Sequence, residues 1–429
     1  MPLSFARKPS DDKNIVKKSK TAVARTSVKG GSLVARIEAI VALAKEKLIN
    51  HLGEYITIRD VETLKKYIDT ANVNGECALD TETTGLNPIT DKIVGVCLYT
   101  PTSKSCYIPI NHKSYITGAR ISNQLNESEV AECLKQYSGK WIMHNAKFDI
   151  RFMRHSLGYY TECYWDTQLG ANLIDENESH RLKDLHFKYC DSKDSESLTF
   201  DTLFNGITFD VVPIETATLY AAGDPKKTYE LYQYQKTLLN RRTLTGPYNV
   251  MTKIEMPLIN VVADMEDRGI CLDSEVCKSL HNKYNAIAED CENEVNKAYG
   301  EFKSNVEEYR MRNSDTKLSE PINARSPQQL AIFLYDVLKL ESPDRKSPRG
   351  TGAEILSAFI DKSKSDKLVT FCKAVLKMRE VDKLLSTYID KMPEIAESDG
   401  RVHCSYKQYG AKTGRFSSEN PKINWALVA

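Results

Sequence analysis

Residues 77–86 read Cys77-Ala78-Leu79-Asp80-Thr81-Glu82-Thr83-Thr84-Gly85-Leu86, an apolar run that ends in two acids and a turn. If Cys77 to Glu82 is a strand, side chains two apart share a face, so Asp80 and Glu82 project together. Adjacent carboxylates repel unless something neutralises them. A divalent cation is the usual answer, since hard Mg²⁺ prefers carboxylate oxygens. Taken alone, Asp-x-Glu is more commonly a pair of exposed strand-end acids, so its neighbours must decide.

Outward from this stretch the β signals continue. Ile93-Val94-Gly95-Val96-Cys97-Leu98-Tyr99 and Cys106-Tyr107-Ile108-Pro109-Ile110 are short β-type runs, separated by turn-rich pieces such as Gly85-Leu86-Asn87-Pro88. Three runs in close succession predict an antiparallel meander. Trp141-Ile142-Met143-His144 predicts a fourth strand, with Asn145 as a helix cap and an amphipathic run from Ala146 to Leu157. The architecture implied is a mixed α/β layer of sheet and flanking helices. Before it, Leu33, Ile37, Ile40, Val41, Leu43 and Leu48 recur at helical spacing over Ser32 to Asn50.

Two further acids follow. Asp149 falls one turn into the helix after the fourth strand, where a surface acid is the ordinary reading. Tyr220 and Asp224 are four apart, which on one helix places phenol and carboxylate on one face. Pro225 follows at once, so the helix must kink or restart there.

Asp-x-Glu with Thr-Thr-Gly-Leu, then Asn-x-x-x-Asp, then Tyr-x-x-x-Asp, in this order, resembles the three motifs of the proofreading exonucleases. These are ribonuclease-H-like nucleases with four acids and a tyrosine. The resemblance implies a mixed five-stranded sheet with flanking helices and a 3′→5′ exonuclease reaction. Asp80, Glu82 and Asp224 would ligate metal, and Asp149 would hold a second ion directly or through water. The family's cofactor is two Mg²⁺, for which Mn²⁺ substitutes, clamping the scissile phosphate about 3.5–4 Å apart. Tyr220 would orient the attacking water. Leu86 resembles the residue that wedges against the terminal base, and Asn145 and Phe148 are neighbours of the bound strand. Asp166 matches an aspartate that the family often carries after the second motif, and a structural role suits it as well.

The same five residues occur in RNA-trimming enzymes, so the second half of the chain has to choose the substrate. Beyond about residue 250 long helical stretches take over, Ser274 to Tyr299 and Asp366 to Met392 among them, with Ser326-Pro327 as a helix start and residues 341–352 as a loop. Ala374, Met378, Val381, Leu385, Tyr388 and Met392 make one apolar seam. Arg379, Lys383 and Thr387 lie on another face, as a basic and hydroxyl stripe suited to DNA phosphates. Glu255-Met256-Pro257-Leu258, Met265-Glu266-Asp267-Arg268-Gly269-Ile270, the Asn323 to Leu330 block, Arg379-Glu380, Lys383-Leu384, Ser386-Thr387-Tyr388, His403, Gln408 and Thr413-Gly414-Arg415-Phe416-Ser417-Ser418 are similar, in order, to the thumb and early palm of family A DNA polymerases. That resemblance implies a mostly α thumb, with Arg379, Lys383, Ser386, Thr387, Thr413, Gly414 and Arg415 against primer–template DNA.

The expected organisation is a disordered basic arm over residues 1–31, an exonuclease domain over 32–240, a thumb over 250–400 and the start of a palm over 401–429. The family pattern stops after Pro421-Lys422-Ile423-Asn424, ahead of the palm aspartates, so this polypeptide alone is not expected to extend a primer. An intron, a split gene or a frameshift would each explain that end. A split gene makes a second chain with palm and fingers the natural partner and this chain a DNA-holding subunit; a frameshift makes it an inactive fragment. The compact exonuclease points to a phage-type polymerase. Composition agrees with a cytoplasmic protein: 429 residues, 41% hydrophobic and 27% charged, with net charge +1. Neither a secretory signal, a Cys-x-x-Cys pair nor a membrane-length apolar run is present.

Overall fold

A computed structural model describes residues 33–191, 198–313, 317–396 and 399–419. The basic arm expected over residues 1–31 and the closing residues 420–429 lie outside these. Cα packing divides the chain into two units. The first comprises Met1–Met143, Phe152–Tyr159 and Leu182–Leu231, the second His144–Arg151, Tyr160–Arg181 and Tyr232–Ala429.

In the first unit the expected helix forms as Leu33–Leu48, burying Ile37, Ala44 and Leu48, whereas Leu33 and Leu43 of the expected face stay exposed. A second helix, Val61–Asn74, starts where the Asp60 carboxylate accepts from the Thr63 N–H and ends at Gly75, whose φ of 71° lies in the left-handed region. Its stripe Leu64, Tyr67, Ile68 and Ala71 is buried. The strands are β1 (Ile56–Thr57), β2 (Glu76–Thr83), β3 (Ile93–Tyr99), β4 (Cys106–Pro109) and β5 (Lys140–Met143), standing in the order β1-β4-β3-β2-β5. β2, β3 and β4 form the expected antiparallel meander, while β5 runs parallel to β2 and β1 parallel to β4. The two-residue β1 carries no periodic signal, and only its pairing defines it.

Val94, Cys97, Tyr107, Phe204, Phe209, Val212, Ala217 and Ala221 form a buried core joining the sheet to residues 204–221. Each fully buried large side chain there contributes about 1.5–3 kcal/mol.

The second unit is mostly helical. Its long elements are Met256–Arg268, Ser274–Gly300, Ala353–Lys362 and Asp366–Leu384; the last three surround a core with Phe302, Phe333, Phe371, Leu356 and Val375, while Val262 of the first packs with Met392, Val402, Cys404 and Tyr406. Ser326 caps Pro327–Ala331 by accepting from the Gln329 N–H, as the Ser-Pro pair predicts. One expectation needs correcting. The helix starting at Asp366 does not run unbroken to Met392 but widens into a π-turn over Leu385–Ile389, where Asp390 N donates to Leu385 O at 2.9 Å. The wider turn rotates the seam: Ala374, Met378, Val381, Leu385 and Met392 are buried, whereas Tyr388 is only half-buried.

Candidate active site

β2 alternates as its sequence requires: Thr81 is buried on one face, while Asp80 and Glu82 are half-buried on the other. Antiparallel pairing sets Asp80 opposite Cys97 and Glu82 opposite Gly95. Gly95 leaves room for an aromatic ring, since a Cβ there would stand 2.2–2.4 Å from the ring and hydroxyl of Tyr107. Tyr107 is held in turn, its hydroxyl 2.7 Å from His112 Nε2, and His112 Nδ1 is 2.8 Å from the Val212 carbonyl. That carbonyl can only accept, so Nδ1 carries the proton and Nε2 accepts from the phenol. Beyond Glu82 the register slips and the chain turns. Thr83 Oγ1 donates to Gly85 O at 2.6 Å, and the Asp91 carboxylate accepts from Asn87 N at 2.8 Å. The turn presents Leu86 to solvent, 84% exposed.

Tyr220 and Asp224 do not share a helix. The first helix, Ile214–Ala221, closes at Ala222, and a second, Gly223–Leu239, starts at once with Pro225 in its first turn. Pro225 has no N–H to give to a continuing helix, so the chain restarts, one of the two outcomes its sequence allows. Tyr220 packs edge-on to Phe204 at 5.5 Å between ring centroids and tilts against Phe209 at 5.9 Å. Burial pushes its hydroxyl pKa well up, and the carboxylates of Glu82, Asp224 and Asp80 push it further. The Cys97 thiol is pushed up by burial and by the same three acids. Three carboxylates therefore bear on one phenol and one thiol.

Lys183 was invisible to sequence reasoning. Its ammonium stands 3.6 Å from the Asp224 carboxylate and 4.8 Å from the centroid of the Tyr220 ring, and it donates to Leu198 O at 2.7 Å. A cavity beside it is lined by Tyr55, Lys183, Leu198, Tyr220, Asp224 and Lys227. A single lysine in Arg181-Leu182-Lys183-Asp184 carries no motif, so only folding could reveal it. Among the described residues no three His, Cys, Asp or Glu side chains stand together as a ready-made metal cluster. The hard oxygens of Asp80, Glu82 and Asp224 nevertheless suit a divalent cation by chemistry, and each of these carboxylates raises the Tyr220 pKa.

In the second unit Asp149 lies on the helix Ala146–Phe152 and is 2% exposed. Asn145 is exposed, and Phe148 is half-buried. The expected side-chain cap at Asn145 gives way to another arrangement. Asn145 has a left-handed φ of 64°, which an asparagine tolerates, and the helix start is tied to Asp166. Asp166 accepts from the N–H groups of Asn145, Ala146, Gln168 and Leu169 at 2.8–3.3 Å. These bonds give Asp166 a structural part at two helix starts.

Farther along, Lys383, Ser386, Thr387, Thr413, Gly414 and Arg415 are exposed. Ser386 Oγ donates to Asp382 O at 2.8 Å, and Thr387 falls in the π-turn. Gly414 has a φ of 75°, giving a tight turn closed by its N–H to Ala411 O at 3.0 Å. Arg379 differs from its stripe, being half-buried with its guanidinium donating to the Thr351 carbonyl.

Residues 55–240 match a family described as 3′-5′ exonuclease, and residues 292–425 one described as DNA polymerase family A. DNA polymerase I of Treponema pallidum is 29% identical over 415 residues, covering 88% of this chain and 38% of its own length. DNA polymerase I of a Synechocystis species is 31% identical over 369 residues, 85% of this chain and 34% of the relative. The DNA polymerase of Escherichia phage T5 is 25% identical over 399 residues, 87% of this chain and 43% of the relative. The chain thus spans well under half the length of these relatives. A solved structure described as the POL domain of Pol1 from M. smegmatis in complex with DNA primer-template and dNTP shares the fold, with a TM-score of 0.60 at 18% identity over 86% of this chain and 55% of that one.

Proposed function

We propose that this chain, which belongs to DNA polymerase family A, removes nucleotides from DNA 3′ ends in the service of replication. The observation that carries the reading is the shared face of Asp80 and Glu82 on β2, together with Asp224 held by Lys183 beside the Tyr220 ring. Metal dependence belongs to the family. The finer reading is two Mg²⁺, replaceable by Mn²⁺, held by Asp80, Glu82, Asp224 and Asp149, which when bound supply an activated water and stabilise the leaving oxygen. Tyr220 donates its hydroxyl proton in a hydrogen bond to the attacking water and aims it. Its raised pKa keeps that proton in place at neutral pH. Leu86, bare on its turn, stacks against the terminal base, and Asn145 and Phe148 contact the bound strand.

Lys383, Ser386, Thr387, Thr413, Gly414 and Arg415 hold the primer–template duplex through its phosphates. The proposed domains are the exonuclease over 32–240, the thumb over 250–400 and the start of a palm from 401. The setting proposed for the chain is the cytoplasm. No helix among the described residues is long and apolar enough to cross a membrane.

The test is 5′-labelled single-stranded DNA with Mg²⁺, beside Asp80→Ala. A ladder shortening from the 3′ end, lost in the variant, supports the reading; intact DNA with folded protein refutes it.

A further inference from the structure

The helix that carries Asp149 is gripped on one side. Lys147 and Arg151 are four apart and so share a face, with Asp149 midway between them on the opposite side. Both cations reach a single acid. Glu266, on the helix Met256–Arg268, takes Lys147 Nζ at 2.5 Å on Oε1 and the Arg151 guanidinium at 2.7 Å on Oε2. Arg151 Nε adds a bond to Asp267 Oδ1 at 2.6 Å.

The acid itself is anchored. Its side chain is 1% exposed, and Oε1 also accepts from the Tyr406 N–H at 2.6 Å. Lys147 donates in addition to the Tyr406 carbonyl, and His403 Nδ1 is 2.8 Å from the Glu266 carbonyl. A buried carboxylate with three donors is fixed in position, because any displacement strands a charge away from water. The Lys147 and Arg151 side chains are only 19% and 11% exposed, so both draw on this acid as a counter-charge, which Arg151 shares with Asp267.

We infer that Glu266 is a positioning residue for the exonuclease, setting the helix Ala146–Phe152 and with it the Asp149 carboxylate. The inference rests on the reading of Asp149 given above. Glu266 lies outside both matched family regions, 55–240 and 292–425, and neither assigns it a part in hydrolysis. Residues after the exonuclease motifs thereby govern its geometry. The partner residues sit at Glu266, Asp267 and Tyr406, so an exonuclease cut from the chain at residue 240 would lack them all.

The test uses the full chain with Glu266→Gln, which keeps shape and loses charge, and Lys147→Met, which removes one half of the grip. Arg325→Ala serves as a control, because it breaks the ion pairs of Arg325 with Asp382 and Glu292 elsewhere in the unit. Three quantities are read: kcat and KM on labelled single-stranded DNA, Mn²⁺ binding by paramagnetic resonance, and amide exchange of residues 146–152. Glu266→Gln should lower kcat at least tenfold at unchanged KM, weaken Mn²⁺ binding and speed exchange in that helix. Lys147→Met should do so several-fold, and Arg325→Ala should change none of the three. Wild-type kcat, Mn²⁺ binding and exchange in Glu266→Gln overturn the inference while the exonuclease stands. So does a loss that only tracks the unfolded fraction seen by circular dichroism. A wild-type chain that leaves DNA intact overturns the functional reading, and the inference falls with it.

Discussion

Lys183 and Asp224 form an ion pair at 3.6 Å, each side chain only 18% exposed, with the lysine ammonium over the Tyr220 ring. The pair places a positive charge beside the carboxylates that bear on Tyr220, with Lys227 a second cation lining the adjoining cavity. A cation there competes with a metal for Asp224 and attracts the DNA phosphate. Lys183→Met should therefore tighten divalent-ion binding and weaken substrate binding, each by about 1–2 kcal/mol, which is roughly five- to thirtyfold. Mg²⁺ titration of the hydrolysis rate, with KM measured at saturating metal, checks both directions. If both constants stay at their wild-type values, the pair has no part in the site.

Tyr220 should act through its hydroxyl alone. Its ring is held by Phe204 and Phe209, so Tyr220→Phe keeps the packing and removes one hydrogen bond. A bond to a developing charge is worth about 1.5–3 kcal/mol, so kcat should fall roughly ten- to hundredfold at constant melting temperature. Single-turnover hydrolysis beside a thermal melt separates this from a folding defect.

Gly95 should not accept even a methyl group. A Cβ would meet the Tyr107 ring at 2.2–2.4 Å, and that ring cannot swing away without losing its bond to His112. Gly95→Ala should cost about 1–3 kcal/mol of stability and disturb Glu82, its cross-strand neighbour. Chemical denaturation reads the first effect and hydrolysis the second.

His112 should make the first unit acid-sensitive. Burial lowers its pKa from 6.5 to about 4, so the folded protein holds it neutral. Between those values the unfolded chain takes up a proton that the folded chain does not. Stability is therefore full above about pH 6.5 and falls as pH drops towards 4, by up to about 3 kcal/mol. Urea melts at several pH values should show this slope, and His112→Asn should flatten it.

Exposed cations and the half-buried one should separate cleanly in DNA binding. Lys383→Ala and Arg415→Ala should each weaken duplex binding and reduce the salt dependence of the binding constant by about one unit. Arg379→Ala should instead lower the melting temperature, since its guanidinium ties the loop at Thr351. Fluorescence anisotropy at several salt concentrations, with thermal melts, distinguishes the two.

Much of this was legible in the chain before folding. Alternation around Asp80 and Glu82, the β-type runs of the meander and the Ser326-Pro327 helix start are local patterns, set by a few neighbouring residues, and the structure has them where they were read. The order of the motifs carried the family. The break after Ala222 was signalled by Pro225, but the π-turn at Leu385 was harder, because a helical period stays nearly the same on either side of one irregular turn.

What the sequence alone determined is therefore the identity of the acids, the strand that pairs two of them, and the family to which they belong. Tertiary structure alone decided that Lys183 meets Asp224, that Tyr107 fills the space above Gly95, and that Glu266 grips the helix of Asp149. The physical reason is separation along the chain. Lys183 and Asp224 are 41 residues apart, and Lys147 and Glu266 are 119 apart. No local periodicity links such positions, and only packing of distant elements brings their charges within reach.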